Sequence, residues 1–188
     1  MITQLGIDST RIDATPQFDL GLEVEEIKGG NGQIVRNTFP NGIPTLVAVT
    51  TNYTANRRFR YVRADAAIAA GDVCMKKFGE ADDPHAFVKT AATTDFGEGI
   101  AEVAVTDQYY FWLTVHGYVA DANVADAVTQ GQFIAPSATA GRLDAFTFTT
   151  TAATLAQLEA GFRAAVAGIQ AMTAGSAGNR AAVFIHGN

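Results

Sequence analysis

The stretch from residue 109 to residue 117 alternates between two kinds of side chain, as a β-strand with two different faces does. One face is apolar and comprises Phe111, Leu113 and Val115. The other carries aromatic rings and polar groups and comprises Tyr110, Trp112, Thr114 and His116. We expect the apolar face to lie in a core and the aromatic face to contact a second, amphipathic surface.

The first 55 residues show the same alternation in a shorter and more interrupted form. Apolar residues at every second position predict a half-buried strand; they are Phe18, Leu20, Leu22 and Val24. Pro40 and Pro44 forbid a helix and favour an extended crossing between segments. We therefore predict an extended N-terminal arm or subdomain over 1–55, followed by the main domain over 56–188.

The main domain contains an internal duplication. The run that begins Tyr61-Val-Arg-Ala-Asp-Ala and passes Gly71 resembles the run that begins Tyr118-Val-Ala-Asp-Ala and passes Gly131. Gly99-Ile matches Gly168-Ile, and the copies end in Val115-His116-Gly117 and Ile185-His186-Gly187. These matches predict repeats over about 59–117 and 118–188, each of about four strands. Chance similarity between alanine- and glycine-rich strands is the alternative.

One helix interrupts this pattern. Thr154 and Gln157 have the spacing of a capping box, and Leu155, Leu158 and Phe162 follow at helical spacing. The spacing predicts a short helix over about 152–160, inserted in the second repeat. The predicted fold is therefore mainly β: duplicated four-stranded units form a β-barrel or sandwich, with an extended N-terminal arm and one short helix.

Composition and charge narrow the class of partner. Hydrophobic residues make up 48% of the chain and charged residues 17%, below the ~25% usual for soluble domains. We expect part of the surface to be covered by a partner or by further copies of the chain. A net charge of −6 argues against nucleic-acid binding, and no apolar run is long enough to predict a membrane span.

Residues that carry chemistry are scattered. The three histidines have no metal-ligand spacing to one another or to the single cysteine, Cys74. No serine lies in a nucleophile-elbow context, and no glycine-rich stretch has the form of a phosphate-binding loop. We therefore predict no enzymatic activity, no cofactor and no metal site. His116 and His186, at matching strand ends, are interpreted as caps of the sheet.

The two repeats differ on their aromatic face. Aligned from their ends, Tyr110 and Trp112 fall on Arg180 and Ala182, so the aromatic pair is specific to the first repeat. Tyr and Trp are enriched at protein interfaces. We predict an interface with a partner or a further copy at Phe18, Leu20, Phe39, Arg58, Arg60, Tyr110 and Trp112. The alternative is a carbohydrate-stacking platform formed by Tyr110 and Trp112.

Four stretches resemble a known family: 59–73, 99–104, the aromatic strand to Gly117, and Ser137-Ala-Thr-Ala-Gly-Arg-Leu-Asp. They are similar to the capsid decoration, or cement, proteins of tailed bacteriophages. The resemblance covers about 59–188. It implies a non-enzymatic virion protein, made in the host cytoplasm, that binds the major capsid protein on the exterior of the assembled capsid and stabilises it, as a homotrimer. A tail or adaptor module of a phage virion is the alternative.

Overall fold

A computed structural model describes residues 2–3, 8–26, 37–38, 44–45, 57–78, 83–146, 168–175 and 180–186. Within these ranges the chain is mainly β and contains no helix. The strands are β1 (Ile2–Thr3), β2 (Ile12–Asp13), β3 (Glu23–Glu26), β4 (Asn37–Thr38), β5 (Pro44–Thr45), β6 (Arg57–Ala64), β7 (Val73–Lys76), β8 (Ala86–Lys89), β9 (Gly99–Ala101), β10 (Tyr110–Asn123), β11 (Phe133–Pro136), β12 (Leu143–Ala145), β13 (Ile169–Ala171) and β14 (Arg180–Ile185).

Twelve of the strands form one large sheet in the order β1-β3-β6-β8-β7-β9-β10-β14-β13-β11-β12, with β2 paired to β10. Strands β4 and β5 pair separately. The longest strand is β10, whose 14 residues pair with β2, β6, β9 and β14. The alternating stretch found in the sequence is thus the strand that joins the two halves of the main domain.

The first half of the domain surrounds a hydrophobic cluster. Strand β6 pairs with both β8 and β10, and β8 continues through β7 and β9 to β10. The apolar face of β10 points into the space between these strands. Its residues pack with others of β6, β7, β8 and β9 and with the bridged pair Ile68 and Val105. The cluster comprises Val62, Ala64, Ile68, Cys74, Phe87, Ala101, Val105, Phe111, Leu113 and Val115.

The second half is built on the C-terminal part of β10. That part pairs with β14, and β14 continues through β13 and β11 to β12. A parallel bridge between Val124 and Leu143 connects the two ends of the path. The cluster inside includes Val124, Ile134, Leu143, Ile169 and Val183, together with Val73 and Ile100 from the first half.

A third cluster lies on the opposite face of β6 and β10. Phe59, Tyr61 and Trp112 are buried there with Val24 of β3. Phe18, Leu20, Leu22 and Tyr110, all half-buried, pack against them. The paired strands β6 and β10 therefore have buried apolar residues on both faces, which explains the aromatic residues on the second face of β10.

The structure confirms a mainly β fold and places the described part of the N-terminal segment within it. Strands β1 and β3 extend the sheet beyond β6, and β2 pairs with β10. The stretch 152–160, for which the sequence predicts a short helix, lies outside the described residues. Most of 27–56, the later part of the predicted arm, also lies outside them.

Candidate interaction surfaces

Trp112 lies inside the chain. Its side chain is 2% exposed, and its ring centroid lies 5.2 Å from that of Phe18 and 5.0 Å from that of Tyr61. Tyr110 is half-buried and stacks on Tyr61 with ring centroids 6.2 Å apart. The amphipathic surface that this face of β10 contacts is thus the chain's own N-terminal segment.

The other residues of the predicted interface fall around the same cluster. Phe18 and Leu20 are half-buried on it, whereas Phe39 lies outside the described residues. Arg60 bonds Glu23 Oε1 from Nε at 2.9 Å and from Nη2 at 2.7 Å. Its Nη1 lies 3.3 Å from Glu98 Oε2. Arg58 also lies on β6 and is half-buried.

Tyr61 is the central residue of this cluster, and it was not among the residues predicted for the interface. Its hydroxyl donates to Asp13 Oδ2 at 2.8 Å and accepts from the backbone N–H of Gln17 at 3.3 Å. Burial raises the pKa of Tyr61 to about 12. The signal was present in β6, because Phe59 and Tyr61 alternate with arginines in the way that Tyr110 and Trp112 alternate with Phe111 and Leu113.

A charged cleft of about 350 Å³ lies beside the N-terminal segment. It is lined by Gly21, Glu23, Arg60, Lys76, Pro84, His85, Phe87 and Glu98. Two carboxylates and two basic groups face each other, and Arg60 already binds both carboxylates. The cleft therefore has little net charge to attract an ionic ligand.

A smaller cleft of about 170 Å³ lies beside Arg57, Glu102, Tyr118 and Asp121. The Arg57 guanidinium stacks 4.7 Å from the ring centroid of Phe59 and pairs with Glu102. Glu102 also accepts from the hydroxyl of Thr114 at 2.9 Å. These contacts join β6 and β10 to the residue that follows β9. The carboxylate of Glu102 therefore already binds two groups of the chain itself.

His116 lies within β10, which continues to Asn123, and His186 follows the last residue of β14. The prediction that His116 ends its strand and caps the sheet is therefore wrong, and the two histidines are neighbours across the β10–β14 pair. Nδ1 of His116 lies 2.7 Å from the backbone carbonyl oxygen of His186, to which it donates. The ring of Phe184 lies 5.6 Å from the first histidine and 5.0 Å from the second. Within the described ranges, no group of three or more His, Cys, Asp or Glu side chains is arranged to hold a metal ion.

A row of outward-facing side chains crosses four strands of the second half. Phe133 of β11 pairs with Gln170 of β13, Gln170 with Phe184 of β14, and Phe184 with Tyr118 of β10. Phe133 is 49% exposed and Tyr118 42%, while Phe184 is half-buried. We call these four residues the end wall. The sequence pattern does not predict the end wall, because four different strands contribute one residue each.

Comparisons with known proteins add no family to this description. No model of a known protein family matches the chain, and no curated protein matches it. Among the described residues, no helix is long and apolar enough to cross a membrane.

Proposed function

We propose that the chain is a non-enzymatic structural protein of a tailed-phage virion, which binds the exterior of the assembled capsid and stabilises it. The observation that best supports a mechanical role is that β10 has buried residues on both faces and belongs to two clusters at once. Trp112 and Phe111 are neighbours in β10, yet they are buried in two different clusters. A wall buried on both faces couples the clusters, so that a load on one segment is shared by the next.

We include in this proposal two repeats that each close a small five-stranded barrel. The matched ladders support it, because Cys74 pairs with Gly99 as Ile134 pairs with Ile169. The contacts that join the two ends of each strand path also match. Ala64 pairs with Phe87 in the first half and Val124 with Leu143 in the second, and both pairings are parallel. In these ladders Gly99 corresponds to Ile169, one residue beyond the Gly168 of the sequence alignment.

The proposed partners are the major capsid protein and further copies of the chain, with the homotrimer that the family resemblance implies. We assign the coat-protein contacts to residues 1–55. The charge distribution is compatible with a protein surface as partner, since Arg60 and the carboxylates around it form a balanced, partly exposed network. Such networks give specificity to a protein interface more than they give affinity.

The test is reconstitution on capsids. Purified full-length chain would be mixed with expanded capsids that lack it and imaged by electron microscopy. We expect regular density on the capsid exterior and a higher temperature of capsid disruption. The same chain unfolded by heat serves as the control. Capsids that stay bare at saturating concentrations of folded chain would refute the proposal.

A carbohydrate-binding module of a phage virion is the second candidate, and the end wall is the observation that favours it. Its exposed rings, Phe133 and Tyr118, lie in one row with the amide of Gln170, and rings and amides are groups that sugars stack on and bond to. The platform would then be Tyr118 and Phe133 instead of the buried Trp112. Glycan binding that is lost in Tyr118→Ala, with no change in the mass of the protein, would support this candidate.

A further inference from the structure

Three of the described turns share one backbone geometry and one pattern of bonds to a neighbouring strand; the turn at Gly141 has the same geometry without that pattern of bonds. Each contains a glycine with positive φ: 80° at Gly21, 86° at Gly71 and 87° at Gly131. In each, the residue after the glycine donates its N–H, over 3.1 Å, to the carbonyl three positions earlier; the pairs are Leu22 with Asp19, Asp72 with Ala69, and Gln132 with Thr129. We call these the glycine turns.

The strands around the glycine turns match as well. Each glycine N–H donates to a residue of a neighbouring strand, which returns a bond to the residue after the glycine; the three acceptors are Tyr61, Ala101 and Ala171. The ladders that follow are in the same register: Glu23 pairs with Arg60, Val73 with Ile100, and Phe133 with Gln170. The N-terminal segment is therefore built like the motif that recurs at Gly71 and Gly131.

The first two glycine turns are covered by other parts of the chain. A Cβ added to Gly21 would lie 2.3 Å from Cε1 of His85, and one added to Gly71 would lie 2.5 Å from the carbonyl oxygen of Asp121. A Cβ added to Gly131 would meet no described atom within 4 Å. Among the described residues, the turn at Gly131 is thus the one of the three whose glycine has no other segment packed against it.

The first strand positions after the glycine turns also differ in exposure. Glu23 is half-buried, whereas Val73 is fully buried and packs with Ile100 into the cluster of the second half. Phe133, which has the ladder position of Val73, is half exposed. Phe133 and Gln170 of the end wall therefore occupy the ladder positions of Val73 and Ile100, which are buried in the cluster of the second half.

We propose that the end wall is buried against a second copy of this chain. Arrays of similar units need a polar outer face on the last unit to remain separate in solution. Here the last unit presents Phe133, Phe184 and Tyr118 instead. Inside the chain, the residues with the ladder positions of Phe133 and Gln170 are covered by the second half, so a further copy of the chain supplies a cover of the same kind. The inference rests on the self-association in the proposed function and does not require the capsid.

The chemistry of the end wall suits such a contact. No member of the row carries a formal charge, so burying it desolvates no ion. The amide of Gln170 is already engaged, since its Nε2 donates to the carbonyl of Gly131 at 3.0 Å. Burial of the exposed rings of Phe133 and Tyr118 would then be favourable at about 25 cal/mol per Å² of apolar surface.

The test is the mass of the full-length protein in solution, measured by light scattering across a dilution series. We expect the unaltered chain to be an oligomer and the double variant Phe133→Ser, Tyr118→Ser to be a monomer at the same concentration. The matched control is Phe78→Ser, because Phe78 is 72% exposed and lies outside the end wall. This control should keep the oligomeric mass.

A second, milder variant tests the same contact in case the double variant does not fold. Gln170→Lys adds a charge at the centre of the row and should also lower the mass, with an unchanged circular dichroism spectrum. A monomeric unaltered chain, or folded wall variants that keep the oligomeric mass, would overturn the inference. A monomer that still decorates capsids would refute this inference alone, and an oligomer dissociated by the wall variants but inert towards capsids would refute the proposed function alone.

Discussion

Gly71 and Gly131 adopt the same left-handed backbone conformation, but only Gly71 is pressed against another strand. The carbonyl oxygen of Asp121 lies 2.5 Å from where a Cβ on Gly71 would be, and the backbone N–H of Asn123 donates to the Gly71 carbonyl at 2.9 Å. Nothing described lies within 4 Å of the matching point on Gly131. Comparing the two glycines therefore separates two free-energy costs of an added side chain: the strain of the left-handed turn and the collision with the neighbouring strand.

Gly71→Ala should therefore destabilise the protein more than Gly131→Ala. Both variants place an L-residue in the left-handed region, at about 1–2 kcal/mol. The first must also push back the carbonyl of Asp121, which adds a further 1–3 kcal/mol or so, as overpacking usually does. Urea denaturation of the two variants measures the difference. Equal losses would show that the Gly71 turn does not dock as described.

Phe18→Ala should expose the only tryptophan of the chain. The Phe18 ring covers Trp112, so its removal lets water reach the indole and shifts the fluorescence maximum to longer wavelength. The loss of a partly buried ring should also cost about 2–3 kcal/mol of unfolding free energy. Phe78→Ala is the control and should leave the emission unchanged. An unshifted spectrum in Phe18→Ala would contradict the intramolecular placement of Trp112.

Asp72 and Asn123 should show strong energetic coupling. Asp72 is 5% exposed, and its carboxylate accepts from Asn123 Nδ2 at 2.8 Å and from the Ala69 N–H at 2.9 Å. A double-mutant cycle with Asp72→Ala and Asn123→Ala should give an interaction energy of about 1.5–3 kcal/mol, as for hydrogen bonds to a charged group. Stability measurements that simply add would show that the two halves are not joined here.

The control for this cycle is Gln132→Ala in the third glycine turn. Gln132 Oε1 accepts only a local bond among the described contacts, from the Thr129 N–H at 2.7 Å. Its removal should cost no more than about 1 kcal/mol. The contrast with Asp72 measures the part of the unfolding free energy that comes from the bond between Asp72 and Asn123 of β10.

The stability of the protein should fall in strong alkali because of Tyr61. Burial raises the pKa of this phenol from 10.0 to about 12, so the folded state holds its proton where the unfolded state loses it. The contribution is complete below pH 10 and is lost as the pH rises towards 12. In Tyr61→Phe, the decline in unfolding free energy over this range should be shallower. An identical decline in both proteins would assign it to other groups.

The alternation along β10 was enough to predict from sequence that Phe111, Leu113 and Val115 face a core, because side chains of a strand alternate between its faces. The glycines at 71 and 131 likewise marked matching bends. The aromatic face was interpreted as a surface for a partner. Sequence alternation shows that Trp112 needs a cover but contains no information on which segment supplies it.

By itself, the sequence determined a mainly β chain, the position of its central strand and the apolar face of that strand, since these follow from local period and residue type. Only the tertiary structure decided that Phe18 covers Trp112, that Tyr61 is bonded to Asp13, and that Val73 is buried while Phe133 is not. Each of these depends on contacts between segments far apart in the chain. Matching local patterns therefore acquire different surroundings according to what lies next to them in the fold.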